Sequence, residues 1–323
     1  MSTSTTPPTP LSTRLAVVVA YVVMILSNYL STATTVFGGT NNAIISKENP
    51  TTLSPDGLTF AIWGIIYLFE TILVVYQFVP RTASESVLDG TTRHWLIAAF
   101  LFNAIWLPIF SFHRWWLALA VIVGYLLALY QTSVAMAINY GDRKVPAHSQ
   151  VCAMAGISLN MAWVVVATLL NFTIVSRNSN IITTVVTTNI TNTTSGAVFP
   201  FEVATVGGNV DWAVLCIVLA SSIAMYRAWQ YADVAYCFVT AWALGGIYRM
   251  QTFSTDENYP TAGRSKDEAT WALVFALLVG AAGVVAVGRA VYRAFTTVAP
   301  TGDEASLTTR LSGGSKAAPQ NYV

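Results

Sequence analysis

A chain of 323 residues with 54% hydrophobic and only 10% charged residues lies far from the soluble norm, in which about a quarter of residues are charged. Lys and Arg number 16 against 15 Asp and Glu, a net charge of +1, and without a clustered basic face this balance excludes a nucleic-acid partner. A soluble fold so poor in charge would need an implausibly large core, whereas hydrocarbon accepts helices that are apolar all round. The fold class expected is therefore all-α, a polytopic transmembrane helix bundle whose first partner is the lipid bilayer.

Residues 1–13 are rich in Ser, Thr and Pro without an apolar pattern, and they read as a disordered tail. Arg14 is the lone basic residue before the first hydrophobic run, which argues against an Arg-rich transit peptide. That run lacks a small-residue cleavage pattern and reads as a retained first span. Crossing a bilayer takes about 20 apolar residues. About eight candidates meet this measure, beginning near Leu15, Leu58, Trp95, Trp116, Ser149, Trp212, Ala232 and Ala269. A polar loop over 35–57 follows the first, and another over 176–209 follows the fifth. The sixth and seventh are divided near Tyr231 by a very tight link. Residues 296–323 are polar, contain Gly313, Gly314 and Pro319, and read as a second disordered tail.

Two acceptor patterns for N-glycosylation, Asn189-Ile190-Thr191 and Asn192-Thr193-Thr194, fall in the 176–209 loop and mark it as extracytoplasmic. Eight spans then place both termini in the cytosol and divide the basic residues ten inside to six outside, the sense of the positive-inside rule. Cys152, Cys216 and Cys237 sit in apolar runs with no His at metal-ligand spacing. They read as packing residues, and no metal is expected.

The ten tryptophans separate by position. Trp95, Trp115, Trp116, Trp212, Trp229 and Trp271 fall near span ends, where the amphipathic indole prefers the headgroup layer. Trp63, Trp106, Trp163 and Trp242 fall inside spans, where the indole N–H needs a partner and favours an inward direction. Three of these lie on helical stripes: Phe60, Trp63, Tyr67 and Glu70; Asn103, Trp106 and Phe110; Asn160, Trp163, Ala167 and Asn171. Each stripe joins an indole to a hydrogen-bonding group, which suits either an interhelical bridge or a ligand pocket. Glu70 is the one acidic residue near the middle of a span. A charge there costs at least about 2–3 kcal/mol, so the carboxyl must be protonated, paired or beside water.

The stretch from Ser54-Pro55-Asp56-Gly57 through Phe60-Ala61-Ile62-Trp63-Gly64 to Tyr67 resembles the second helix of the TspO/MBR family, which includes the tryptophan-rich sensory proteins and the translocator protein, or peripheral benzodiazepine receptor. Asn103-Ala104-Ile105-Trp106-Leu107-Pro108-Ile109-Phe110 is similar to that family's third helix. Trp163 with Ala167-Thr168 and Leu170-Asn171 is similar to its fifth. The resemblance implies a five-helix core over 14–175, with three further transmembrane helices over 210–295 as in a longer branch. Counterparts there include Ile45-Ser46, Asn49-Pro50, Asp233-Val234-Ala235-Tyr236, Trp242-Ala243 and Gly245-Gly246-Ile247. It also implies a pocket for porphyrins, sterols or similar flat apolar ligands, lined here by Trp63, Trp106, Trp163 and Ala167. Two departures stand out. Phe172 to Arg177 holds no Tyr before the basic residue, as a sterol-recognition pattern requires, and Glu70 stands where an uncharged residue is expected.

The expected ligand set is therefore Trp63, Tyr67, Glu70, Asn103, Trp106, Asn160, Trp163 and Ala167 in a sensor or carrier. A porphyrin or haem would be its ligand rather than a resident cofactor, and a second copy of the chain is a candidate partner. The alternative is a proton-coupled transporter cycling Glu70. An enzyme is not expected, because no His-Glu-x-x-His or Gly-x-Ser-x-Gly pattern occurs and His94, His113 and His148 lie at span ends or in loops. A retinal protein is excluded, since Lys47, Lys144, Lys266 and Lys316 all lie outside the spans. The glycosylation patterns favour a secretory-pathway or plasma membrane, with the mitochondrial membrane of the family's animal members second.

Overall fold

The computed structural model describes residues 10–37, 44–45, 48–49, 51–79, 87–140, 147–178, 212–253 and 266–296. Among these it contains eight long helices and no strand. Helix α1 is Leu11–Ala33. Helix α2 opens with the 3₁₀ turn Gly57–Ala61 and continues over Ile62–Tyr76. Helix α3 is Gly90–Ser111 and α4 Trp115–Tyr140. Helix α5 opens with a π turn, Gln150–Met154, and continues over Ala155–Asn178. The last three are α6 Trp212–Tyr231, α7 Val234–Phe253 and α8 Lys266–Thr296. Helix α1 begins slightly before the expected boundary at residue 14, and α5 runs slightly past 175. Nearly all of both tails and of the 176–209 loop, with Asn189 and Asn192, lies outside the described residues.

Side-chain caps fix several starts. The carboxylates of Asp56, Asp89 and Asp233 accept the backbone N–H of Thr59, Thr92 and Tyr236 at 3.0, 2.7 and 3.1 Å, each satisfying a donor the first helical turn leaves without a partner. Burial opposes ionisation of Asp89. The Thr92 N–H and hydroxyl, the Asn139 amide and the nearby Arg93 charge outweigh it and hold the carboxyl below its ordinary range.

Seven helices are long and apolar enough to cross a membrane. The eighth, α7, has the length at 20 residues but carries Thr240, Gly245, Gly246, Arg249 and Gln251. Its neighbours explain why this is tolerated. Helix α7 packs on α5, α6 and α8, so Thr240 and Gln251 are buried against protein rather than acyl chains. The tight link before it is real: Ala232 adopts φ 52°, and Asp233 accepts hydrogen bonds from Arg227 Nε and Ser158 Oγ, both at 2.8 Å.

Helix α5 is the axis of the bundle and buries most of its length, while α1 and α8 bury the least. Large apolar side chains along α1 and α8, such as Val19, Leu26, Leu277 and Val284, are exposed and suit lipid contact.

Candidate functional site

The close approach of α5 to α2 organises the interior. A Cβ on Gly156 would lie 3.1 Å from the backbone carbonyl of Phe69, so the absence of a side chain lets the two backbones nearly touch. One turn further along α5, Asn160 is thereby set against Glu70. The Asn160 Nδ2 group donates to Glu70 Oε1 and to the Tyr125 hydroxyl oxygen, both at 2.5 Å. The same hydroxyl accepts from Asn103 Nδ2 at 2.9 Å. Asn103 Oδ1 in turn accepts from Asn28 Nδ2 at 2.8 Å, and Asn28 Oδ1 accepts from the Tyr67 hydroxyl at 2.7 Å.

Tyr67 and Glu70 sit one turn apart on α2, so the chain of contacts closes into a ring. It passes through all five helices of the expected core: Asn28 on α1, Tyr67 and Glu70 on α2, Asn103 on α3, Tyr125 on α4, Asn160 on α5. Tyr21 of α1 reinforces the seam, donating to Tyr67 O at 3.0 Å and sharing a 2.7 Å hydrogen bond with the Thr71 hydroxyl. Such contacts are the means by which helices find one another where lipid removes the hydrophobic drive between them.

An aromatic layer lies about one helical turn from the ring, toward the end reached by segment 51–61. Trp163 is 1% exposed. The ring of Trp63 meets it edge-to-face at 6.0 Å and that of Phe60 at 5.8 Å, arrangements an aromatic quadrupole favours. Trp63 stacks in turn on Tyr67 at 5.3 Å. Trp106 is buried too, but its ring packs with Phe110 at 5.7 Å, which continues to Trp115. It makes no ring contact with the Trp63–Trp163 pair.

Of the eight residues expected from sequence, six thus meet in one connected group: Trp63, Tyr67, Glu70, Asn103, Asn160 and Trp163. Ala167 is buried one turn beyond Trp163, and Trp106 stands beside a separate aromatic set. Asn28 and Tyr125 were missed. The only signal for either was a polar atom near mid-span, without an indole at helical spacing.

The buried polar atoms with no hydrogen-bond partner among the described residues include three from the expected set: Glu70 Oε2, Asn160 Oδ1 and Trp106 Nε1. Buried polar groups are ordinarily satisfied, so these are free to orient a guest. No group of His, Cys, Asp and Glu suited to a metal ion occurs among the described residues.

Fold and interior together define an integral, multi-pass membrane protein whose bundle encloses an aromatic layer over a polar ring. The family model described as TSPO-like protein matches residues 14–198, more than half of the chain, and the chain belongs to that family. Helices α6 to α8 lie beyond the matched stretch. No curated protein and no solved structure matches the chain.

Proposed function

We propose that this protein binds a flat, apolar small molecule within the bundle, a porphyrin or other tetrapyrrole or a sterol-like compound, and acts as its sensor or carrier. The observation that carries the reading is the Trp63–Trp163 indole pair, with Asn160 Oδ1 one turn from Trp163 and Glu70 Oε2 two turns from Trp63. Apolar faces offer a stacking surface, and a few buried polar atoms offer orientation, which is the usual composition of a small-molecule site. Membership of the TSPO-like family supports the same reading.

Titration with protoporphyrin IX tests it through quenching of the interior indoles. Trp63→Leu and Trp163→Leu should each weaken binding about tenfold or more, the loss of one stacking partner of roughly 1.4 kcal/mol. Trp106→Leu should matter less, since its ring faces another set. Unchanged affinity in the triple variant would defeat the assignment.

A second reading is favoured by the place of Glu70, a fully buried carboxyl inside a ring that touches five helices. In a proton-coupled transporter that carboxyl would gain and lose a proton while the ring changed partners. Flux into proteoliposomes separates the two readings: Glu70→Gln abolishes coupled uptake in a transporter but leaves most binding intact in a sensor. The proposed orientation puts Asn189 and Asn192 on the lumenal or outer side as glycan acceptors. A mobility shift on glycosidase treatment would agree with it.

A further inference from the structure

Segment 51–61 leads into α2 and ends at the aromatic layer, and most of what holds it comes from α7, outside the matched family region. The Asp56 N–H donates to Gly246 O at 3.1 Å. The Trp242 indole N–H donates to Thr59 O at 2.9 Å. Arg249 Nε lies 3.0 Å from Asp56 Oδ2, and Gln251 Nε2 donates to Thr52 O at 2.8 Å. Leu53 is buried in an apolar cluster with Ile217 of α6, Leu244 and Ile247 of α7 and Ala272 of α8.

At the centre of this seam the Thr59 side chain packs directly on the Gly246 backbone. A Cβ on Gly246 would fall 2.0 Å from Thr59 Oγ1, so no side chain fits there without moving the segment. The next residue after Thr59 is Phe60, whose ring touches Trp163, and Trp63 follows three positions later. Whatever fixes Thr59 also fixes the two aromatic rings that α2 contributes to the site.

We infer that α7 is the clamp of the ligand site: by holding segment 51–61 it sets where Phe60 and Trp63 stand, and it governs how readily a flat ligand enters and leaves. This rests on the binding function proposed above and adds its regulation. Trp242, Gly246 and Arg249 are positioning residues, acting on the site only through the segment they grip. A family core of five helices would lack this control, and the three additional helices supply it.

The test uses the full chain in lipid nanodiscs and two readouts. One is hydrogen exchange of amides 51–60; the other is the rate of protoporphyrin IX association and release by stopped flow. The variants are Trp242→Phe combined with Arg249→Ala, which removes two grips without adding bulk, and Gly246→Ala, which pushes the segment away. Exchange over 51–60 should rise about tenfold and porphyrin release should quicken by a similar factor, as expected for the loss of one or two hydrogen bonds. Unchanged exchange in both variants overturns the clamp. Faster exchange with unaltered porphyrin rates overturns its control of the site. A wild-type chain that binds no porphyrin defeats the functional reading instead, and exchange alone then decides whether α7 holds the segment.

Discussion

The two parts of this bundle are joined by different physics. In α1 to α5, helices meet side chain to side chain through their centre: five of them place amides, phenols and one carboxyl into a single hydrogen-bonded ring. In α6 to α8 the buried hydroxyls of Ser221 and Thr240 stay within their own helix, donating to Ile217 O and Tyr236 O, and the α7 side chains that reach further, Trp242 and Gln251, meet backbone carbonyls of segment 51–61 rather than other side chains. The strong polar contacts of that part sit at its rim, where Arg227 meets Asp233 at 2.6 Å and Arg289 reaches the α6 carbonyl ends. Between Leu53 and helices α5, α6 and α7 lies a small apolar cavity of about 20 Å³. A centre that depends on mutual hydrogen bonding is the costly arrangement, because each buried polar group loses most when its partner is removed. A centre filled with Ile, Leu, Ala and Cys needs only shape.

The sharpest way to break this contrast is to remove one large side chain from each part. Trp163→Ala should cost about 3–5 kcal/mol, because the indole is fully enclosed and no neighbour can fill its volume. Trp271→Ala, on the outer face of α8 and stacked only on Phe275, should cost under about 1 kcal/mol. Reversible unfolding in mixed micelles measures both. Equal losses would mean that the C-terminal helices are as tightly built as the core.

A smaller effect probes the ring itself. Asn103→Ala withdraws an acceptor from Asn28 and a donor from Tyr125 and should destabilise by about 1–2 kcal/mol. Thr240→Val, which breaks a bond confined to α7, should cost under about 0.5 kcal/mol. The decisive form is a double-mutant cycle of Asn103→Ala with Tyr125→Phe. Members of one network couple by about 0.5 kcal/mol or more, whereas independent sites add. A coupling of zero would reduce the ring to a set of unrelated contacts.

Helix positions were legible because bilayer thickness dictates them. The expected starts near Leu58, Trp116, Ser149 and Trp212 fall within a residue of the observed ones, with no knowledge of which helix touches which. Stripes on α2, α3 and α5 were legible for a related reason: an indole three or four residues from an amide or a phenol declares one face of a helix. What spacing does not encode is how far each helix is rotated about its own axis. Asn28 is buried while its neighbour Tyr29 is exposed, and Tyr125 is buried while Tyr130 is exposed; in the sequence each pair looks alike. Nor does spacing say which stripes meet: Trp106 packs on Phe110 of its own helix, and its ring does not touch those of Trp63 and Trp163. The role of α7 was hidden for a further reason, since its partners in segment 51–61 lie some 190 residues away in the chain and nothing in either stretch names the other.

The smallest effect tests the end of the core away from segment 51–61, where α3 begins. Asp89 caps that helix, and its carboxyl is held below the ordinary range by the Thr92 and Asn139 hydrogen bonds and by Arg93 despite partial burial. Asp89→Ala should therefore lower stability by about 1 kcal/mol at neutral pH, the usual worth of an N-cap. Its pH dependence has a fixed sign. A carboxyl whose folded-state pKa is depressed stabilises fully above its unfolded value of about 3.9, and that contribution is lost as pH falls through the folded value. The gap between wild type and Asp89→Ala should accordingly hold from pH 7 to about 5 and narrow below about 4. Helix α1 offers the comparison, since its N-cap Pro10 makes no side-chain bond and Pro10→Ala should leave the acid limb unchanged. A gap for Asp89→Ala that stayed constant down to about pH 3 would assign the cap to the geometry of the turn alone and remove the charge from its account.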